Sequence, residues 1–247
     1  MGDGDGEHGT ALRPQSVSAD ALEDELLARF TAHPVFHRIE EIAHDAFLEI
    51  LLQRRFLSLM FPVMYDVGID GLTDPTAIKV VREILREEYP DPSGETPSHR
   101  EDLVADLVAL GATREQVLAT RPTAVTQSVI ERSFALIADA TESDTDLELM
   151  TIIRFWGEVL VSVEYGEFWR RMEPAFVAAD TVSRFYHPHH HHDGRDPLAT
   201  AGADAATHSG RLGACLVRLL DGDDGEERFA STEARVLALR LDFYDQF

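Results

Sequence analysis

Between Phe36 and Phe61 apolar residues return every three or four positions, through Ile39, Ile42, Ala43, Ala46, Phe47, Ile50, Leu51, Leu57 and Met60. That spacing lays one apolar stripe along a helix and does not suit a strand, whose faces alternate every second residue. It predicts one long helix with a kink at Pro62, where the ring removes a backbone donor. The same period continues, punctuated by start and stop signals. Asp74-Pro75 supplies a cap and a first-turn proline for a helix to about Tyr89. Thr96-Pro97 opens another over Ser98–Leu110, which Gly111 closes, and Thr113 starts a short one. Ser18 caps a helix over about 19–31 that ends before His33-Pro34. Further helices are expected over 122–139, over 147–172 with a break or bend near Gly157 and Gly166, from Pro174 to about His187, over 207–220 and over 231–245. No stretch alternates with period two between turn residues. The predicted fold class is all-α, one single-domain multi-helix bundle over 18–247. Residues 1–17 are expected to be a disordered acidic tail.

Charge narrows the function classes. Twenty-two basic residues against 45 acidic ones give −23, and Lys79 is the only lysine. Phosphate backbones and anionic membrane surfaces would repel such a chain, so neither nucleic acid nor membrane is an expected partner. Cys215, alone, excludes an internal disulfide and makes a cytoplasmic setting the default. No apolar run is long enough to cross a bilayer, and the N-terminus lacks the basic-then-apolar order of a signal peptide.

The chemistry concentrates in Phe185-Tyr186-His187-Pro188-His189-His190-His191-His192-Asp193, which holds five of the eleven histidines. If this stretch is helical, His189 and Asp193 share a face at i and i+4, as do His187 and His191. Imidazole beside carboxylate suits iron, manganese or zinc. In a helical bundle the remaining ligands come from other helices. Glu87-Glu88, with His99 across a loop, is one source, and Glu158 inside an apolar run is another. A buried Glu158 would need a partner, whereas on a solvated face it would pair with Arg154. Glu40, Glu41 and His44 have helical ligand spacing but no matching second pair, so they are expected at the surface. His208 reads equally as a ligand or as an ordinary helix-start residue.

In their order, His33-Pro34-Val35-Phe36, Glu87-Glu88-Tyr89, Ser98-His99-Arg100, Leu110-Gly111, Glu158 and His189-x-x-x-Asp193 resemble the haem-oxygenase-like di-iron oxidases and oxygenases, relatives of the thiaminase-II and pyrroloquinoline-quinone synthase fold. The likeness spans roughly 33–220. It implies a seven-helix haem-oxygenase-like bundle holding two irons, with manganese an option at one position. Glu88 and His99 would come from one helix junction, Glu158 would bridge, and His189 and Asp193 would follow from the third core helix. The family's pattern adds a histidine three residues later, where this chain has Asp196; His192, His190 or His208 are the alternatives for that sixth ligand. Pro188, Gly194, Pro197 and Gly202 weaken the surrounding helix.

The resemblance further implies a small-molecule substrate (an amine, amino acid or fatty acid) and O2, with N-oxygenation, desaturation or C–C cleavage as outcomes. Trp156 and Tyr186 are candidate pocket walls, alongside Phe155 and Phe185. Arg154, with Arg100 and Arg184 as alternatives, could hold a substrate carboxylate. A homodimer is compatible with these features. Two other functions fit the same residues: a metal-free enzyme on the thiaminase-II-like fold, or a non-enzymatic acidic metal-binding protein.

Overall fold

A computed structural model describes residues 14–90, 93, 97–143, 146–222 and 224–247. Twelve α-helices are present among them: α1 (Pro14–Thr31), α2 (Pro34–His37), α3 (His44–Gly71), α4 (Pro75–Glu87), α5 (His99–Ala109), α6 (Arg114–Ala119), α7 (Ala124–Thr141), α8 (Leu147–Arg154), α9 (Leu160–Ala178), α10 (Tyr186–His192), α11 (His208–Leu216) and α12 (Gly225–Tyr244). The described residues contain no strand, as the sequence periodicity requires. None of their helices is long and apolar enough to cross a membrane.

The start signals Asp74-Pro75 and Thr113 act as expected, while the cap of α5 is Ser98, where the sequence put the signal at Thr96-Pro97. The Asp74 carboxylate accepts from the backbone N–H groups of Thr76 and Ala77, with Pro75 in the first turn of α4. Ser98 and Glu101 form a reciprocal capping box on α5, and Thr113 and Gln116 form another on α6. Gly111 closes α5 at φ +107°, a conformation that a side chain would strain. Thr96 lies outside the described residues, as does the expected tail over 1–13. Residues 14–17, assigned to that tail, belong to α1, which begins before Ser18.

Proline and glycine were less informative inside helices. The helix expected from Phe36 begins at His44, because α2 stops after one turn and the chain leaves helix until Ala43. Ile39 is fully buried within that interruption, so the apolar period continues where the helix does not. Arg170 and Arg171 donate to the Phe36 and Glu40 carbonyls there, satisfying backbone that helix would otherwise pair. Glu40, Glu41 and His44 are exposed, as expected. Pro62 neither ends nor opens a helix, since α3 runs on to Gly71. Pro174 likewise lies inside α9 instead of starting a new element. From Leu147 to Ala178 the chain is one helical run, widened by a π turn over Phe155–Val159. The break expected near Gly157 is this turn.

α12 lies against α1, α7 and α8, while α3 packs on α4, α5 and α7; α11 joins α4 to α8, and α10 lies along α9. The interior carries ions as well as hydrocarbon. Glu164 of α9 receives the guanidinium groups of Arg54 and Arg240 and the hydroxyl of Tyr244, all buried. Arg154 pairs with Glu23 of α1, also fully buried, and Arg195 pairs with the same carboxylate. These two knots bring α1, α3, α9 and α12 into register around a site at the junction of α4, α5, α8, α10 and α11.

Candidate metal centre

The wide turn at Phe155–Val159 positions the most buried ligand candidate. A π turn adds a residue to the helical circuit and is frequent at functional sites. Here it accompanies a Glu158 that is 1% exposed, excluding the solvated pair with Arg154. Gly157 makes room for its partner, because a Cβ there would stand 2.8 Å from the Tyr65 hydroxyl oxygen. Tyr65 donates to Glu158 Oε1. Burial, then the charge of Glu158, raises the phenol well above its ordinary range and keeps it a donor.

Two donor groups assemble in one cavity. In the first, Glu88 at the end of α4, His99 at the start of α5 and His189 of α10 bring one ligand atom each to within 4.8 Å of the others. His99 Nδ1 lies 2.8 Å from Glu88 Oε1, and the His99 and His189 rings are 4.6 Å apart. Burial lowers the His99 imidazole, but its bond to Glu88 and that carboxylate's charge carry the net shift upward. His189 Nδ1 lies 2.7 Å from the Phe185 carbonyl, which fixes the proton on Nδ1 and frees Nε2 for a metal. Loss of water around the ring, then repulsion from His99, lowers His189 to about 3, so it stays neutral.

The second group is Glu158, Asp193 and His208, all buried and again with ligand atoms within 4.8 Å. His208 Nδ1 stands 3.3 Å from both Glu158 Oε2 and Asp193 Oδ1, while its Nε2 is 3.1 Å from Glu87. Burial, then the charge of Glu158, pushes Asp193 well above the usual carboxylate range. Glu87, His192 and His208 form a more exposed third grouping at the rim. Ligands at about 2.0–2.2 Å from one ion are at most some 4.4 Å apart, a limit that the Glu88–His99 contact at 2.8 Å and the contacts of His208 with Glu158 and Asp193 at 3.3 Å respect.

The structure therefore brings Glu88, His99, Glu158, His189 and Asp193 together and adds His208. Asp196 and His190 are turned to other work. The Asp196 carboxylate accepts from the Thr207 hydroxyl at 2.6 Å, fixing the start of α11 and so the place of His208. His190 packs over bare Gly166, and Ser162 Oγ donates to its carbonyl, docking α10 on α9. His187 and His191 face each other at 3.2 Å outside the cavity. Arg154 cannot hold a substrate carboxylate, since Glu23, the Ser209 carbonyl and the Asp196 carbonyl consume its donors in the core. Tyr186 lies beneath the site, packed edge-on against Tyr165, and does not line the cavity. Trp156 does, with Leu57, Phe61, Val161 and Phe185, around about 110 Å³. Arg184 reaches the rim, paired with Asp102 at 2.8 Å. Tyr65 went unnoticed in the sequence, where nothing ties it to a glutamate on another helix; Glu87 was read there beside Glu88, but not its contact with His208, 121 positions away.

Solved structures share this architecture over nearly the whole chain. A TenA homolog from Pseudomonas syringae matches 99% of this chain and 97% of its own at 11% identity, with a TM-score of 0.63. A CADD-like protein of unknown function from Nostoc punctiforme covers 93% and 94% at 12% identity and TM-score 0.62. A domain of unknown function with a heme oxygenase-like fold, from Shewanella denitrificans, covers 93% and 88% at 14% identity and TM-score 0.58. No protein-family model and no curated protein matches the sequence. The fold is haem-oxygenase-like, as the sequence motifs implied; the described residues form twelve helices where seven were expected, short turns such as α2 and α6 among them.

Proposed function

We propose that this chain is an oxidase or oxygenase that binds two iron ions and uses O2 to oxidise a small metabolite. The observation that supports this most is the pairing of two donor groups, Glu88/His99/His189 and Glu158/Asp193/His208, in one buried cavity. The donors also fit the ions chemically. Glu158 and Asp193 share a single imidazole as counter-charge, and burial with the charge of Glu158 raises Asp193 well above the usual carboxylate range. Buried like charges are costly, and a divalent cation removes that cost. Oxygen and nitrogen ligands without thiolate suit iron, manganese or zinc; of these iron supplies the redox chemistry proposed, and manganese at one position is a variant of the same proposal.

When bound, ferrous ions supply the electrons for reducing O2, chemistry that the side chains lack. The residues do the rest. Tyr65 holds Glu158 Oε1, orienting the carboxylate between the two groups. The Phe185 carbonyl sets the His189 tautomer. Leu57, Phe61, Trp156, Val161 and Phe185 keep bulk water from the cavity, which strengthens every electrostatic contact within it. A metal-free enzyme of this fold would need its nucleophile at the cavity, yet Cys215 is buried in α11 and lines none of it.

Anaerobic titration with ferrous ion, followed by air and read by optical and Mössbauer spectroscopy, tests the proposal. The expected result is saturation at two irons per chain and oxygen-dependent oxidation, with Glu158→Ala abolishing stoichiometric uptake. Loose binding indifferent to Glu158→Ala would instead mark a sequestering protein and overturn the proposal.

A further inference from the structure

On the far side of the Glu88–His99 pair, α3, α5 and α6 enclose a separate cavity of about 330 Å³ whose walls include Arg55, Arg100 and Arg114. Three arginines around one hollow are unexpected in a chain with 22 basic residues and 45 acidic ones. Among the described residues none of the three has a carboxylate within ion-pair range, although most arginines of this protein do. Arg55 is only 7% exposed and its Nε has no hydrogen-bond partner. Burial, then repulsion from Arg100, lowers its pKa, so the cluster is under unrelieved strain. Glu101, the one acid in the wall, is already bound to the Ser98 backbone and hydroxyl. Three positive charges against one negative leave an excess of two, the complement of a dianion.

This hollow is not isolated. It shares Leu59, Arg100 and Leu103 with a cavity of about 410 Å³ walled also by Pro62, Tyr89 and Phe185. That second cavity shares Glu88 and His99 with the metal centre. We propose that Arg55, Arg100 and Arg114 bind the dianionic phosphate group of a small organic phosphate monoester, whose body lies in the adjoining cavity and leads to the Glu88–His99 edge of the metal site. Guanidinium forks match phosphate oxygens two at a time, and the mostly apolar middle cavity suits a hydrocarbon or aromatic body. The anion site stands without iron; that the bound molecule is the substrate rests on the function proposed above.

Calorimetric titration of the chelator-treated, full-length chain at low ionic strength tests the site without involving the metal. The probes are inorganic phosphate, phenyl phosphate and benzoate. Phenyl phosphate is expected to bind about tenfold tighter than phosphate (1.4 kcal/mol) and at least tenfold tighter than benzoate. Arg100→Gln and Arg114→Gln, both at exposed positions, should each weaken phenyl phosphate by about tenfold or more. Iron stoichiometry measured on the same variants should be unchanged, which separates failure of this site from failure of the metal centre. No saturable binding below roughly 50 mM, where an affinity would be weaker than about 2 kcal/mol, overturns the site. So does binding indifferent to both substitutions, or benzoate equal to phenyl phosphate. Phosphate binding as tightly as phenyl phosphate overturns the route to the metal centre.

Discussion

His208 sits between two buried carboxylates, and its proton governs how the metal-free site behaves with pH. Burial alone would lower the imidazole, but hydrogen bonds to Asp193 and Glu158 and their charges raise it to about 11. A group whose folded value exceeds its ordinary 6.5 stabilises the fold fully below that pH and loses the contribution as pH climbs toward 11. Asp193, also raised, acts in the same direction. The metal-free protein should therefore melt at progressively lower temperature from pH 6.5 to 9.5, and His208→Asn should flatten that slope. Metal ligation needs the same nitrogen unprotonated, so iron affinity should rise over this range and proton release should appear in calorimetry run in two buffers of different ionisation enthalpy. A pH-independent affinity would contradict the placement of His208. A second contrast lies in the core. Burial and the charge of Glu23 raise Glu233 well above its ordinary value, which favours its neutral form. Glu233→Gln should then change stability by less than about 0.5 kcal/mol. Glu23→Gln strips the counter-charge from buried Arg154 and should cost about 3–5 kcal/mol in urea denaturation.

The histidine helix α10 is only seven residues long, too short to stand on its own propensity. Asp106 of α5 holds it: one buried carboxylate accepts from the Ser183 hydroxyl and from the backbone N–H groups of Arg184, Phe185 and Tyr186. Asp106→Ala leaves those donors unpaired and should destabilise by at least about 2 kcal/mol. Hydrogen exchange over 186–192 should accelerate and stoichiometric iron should be lost, while the overall helical circular dichroism stays near wild type. Unaltered exchange there would contradict this anchoring. Helix starts such as Asp74-Pro75 and Thr113 were legible because a cap is a local bond between neighbours. Glu88, His99, His189 and Asp193 were legible only through a motif order, and the choice among Asp196, His190, His192 and His208 was not. That choice depends on Thr207 claiming Asp196 and Gly166 receiving His190, contacts between segments far apart in the chain. Pro174 misled, since it lies inside α9 instead of opening an element, whereas the long helix read through Pro62 is present.

At the scale of the whole molecule, the donor groups tie α4, α5, α10 and α11 to the α8–α9 run, so loading them should stabilise the entire bundle. Ferrous ion at about a hundred times its dissociation constant adds about 2.7 kcal/mol per site, which for a domain of this size is roughly 5–10 °C in Tm. Anaerobic calorimetry with and without iron checks this, and the shift should vanish in Glu158→Ala. The wide turn at Phe155–Val159 has one more consequence. Each residue of a regular α-helix turns the chain by about 100°, so losing a single codon there would restore ordinary pitch and swing Glu158 out of alignment with one half of its own rod. Under the proposed function, the genetic distance between a chain that aims this carboxylate and one that does not is then a deletion of three nucleotides.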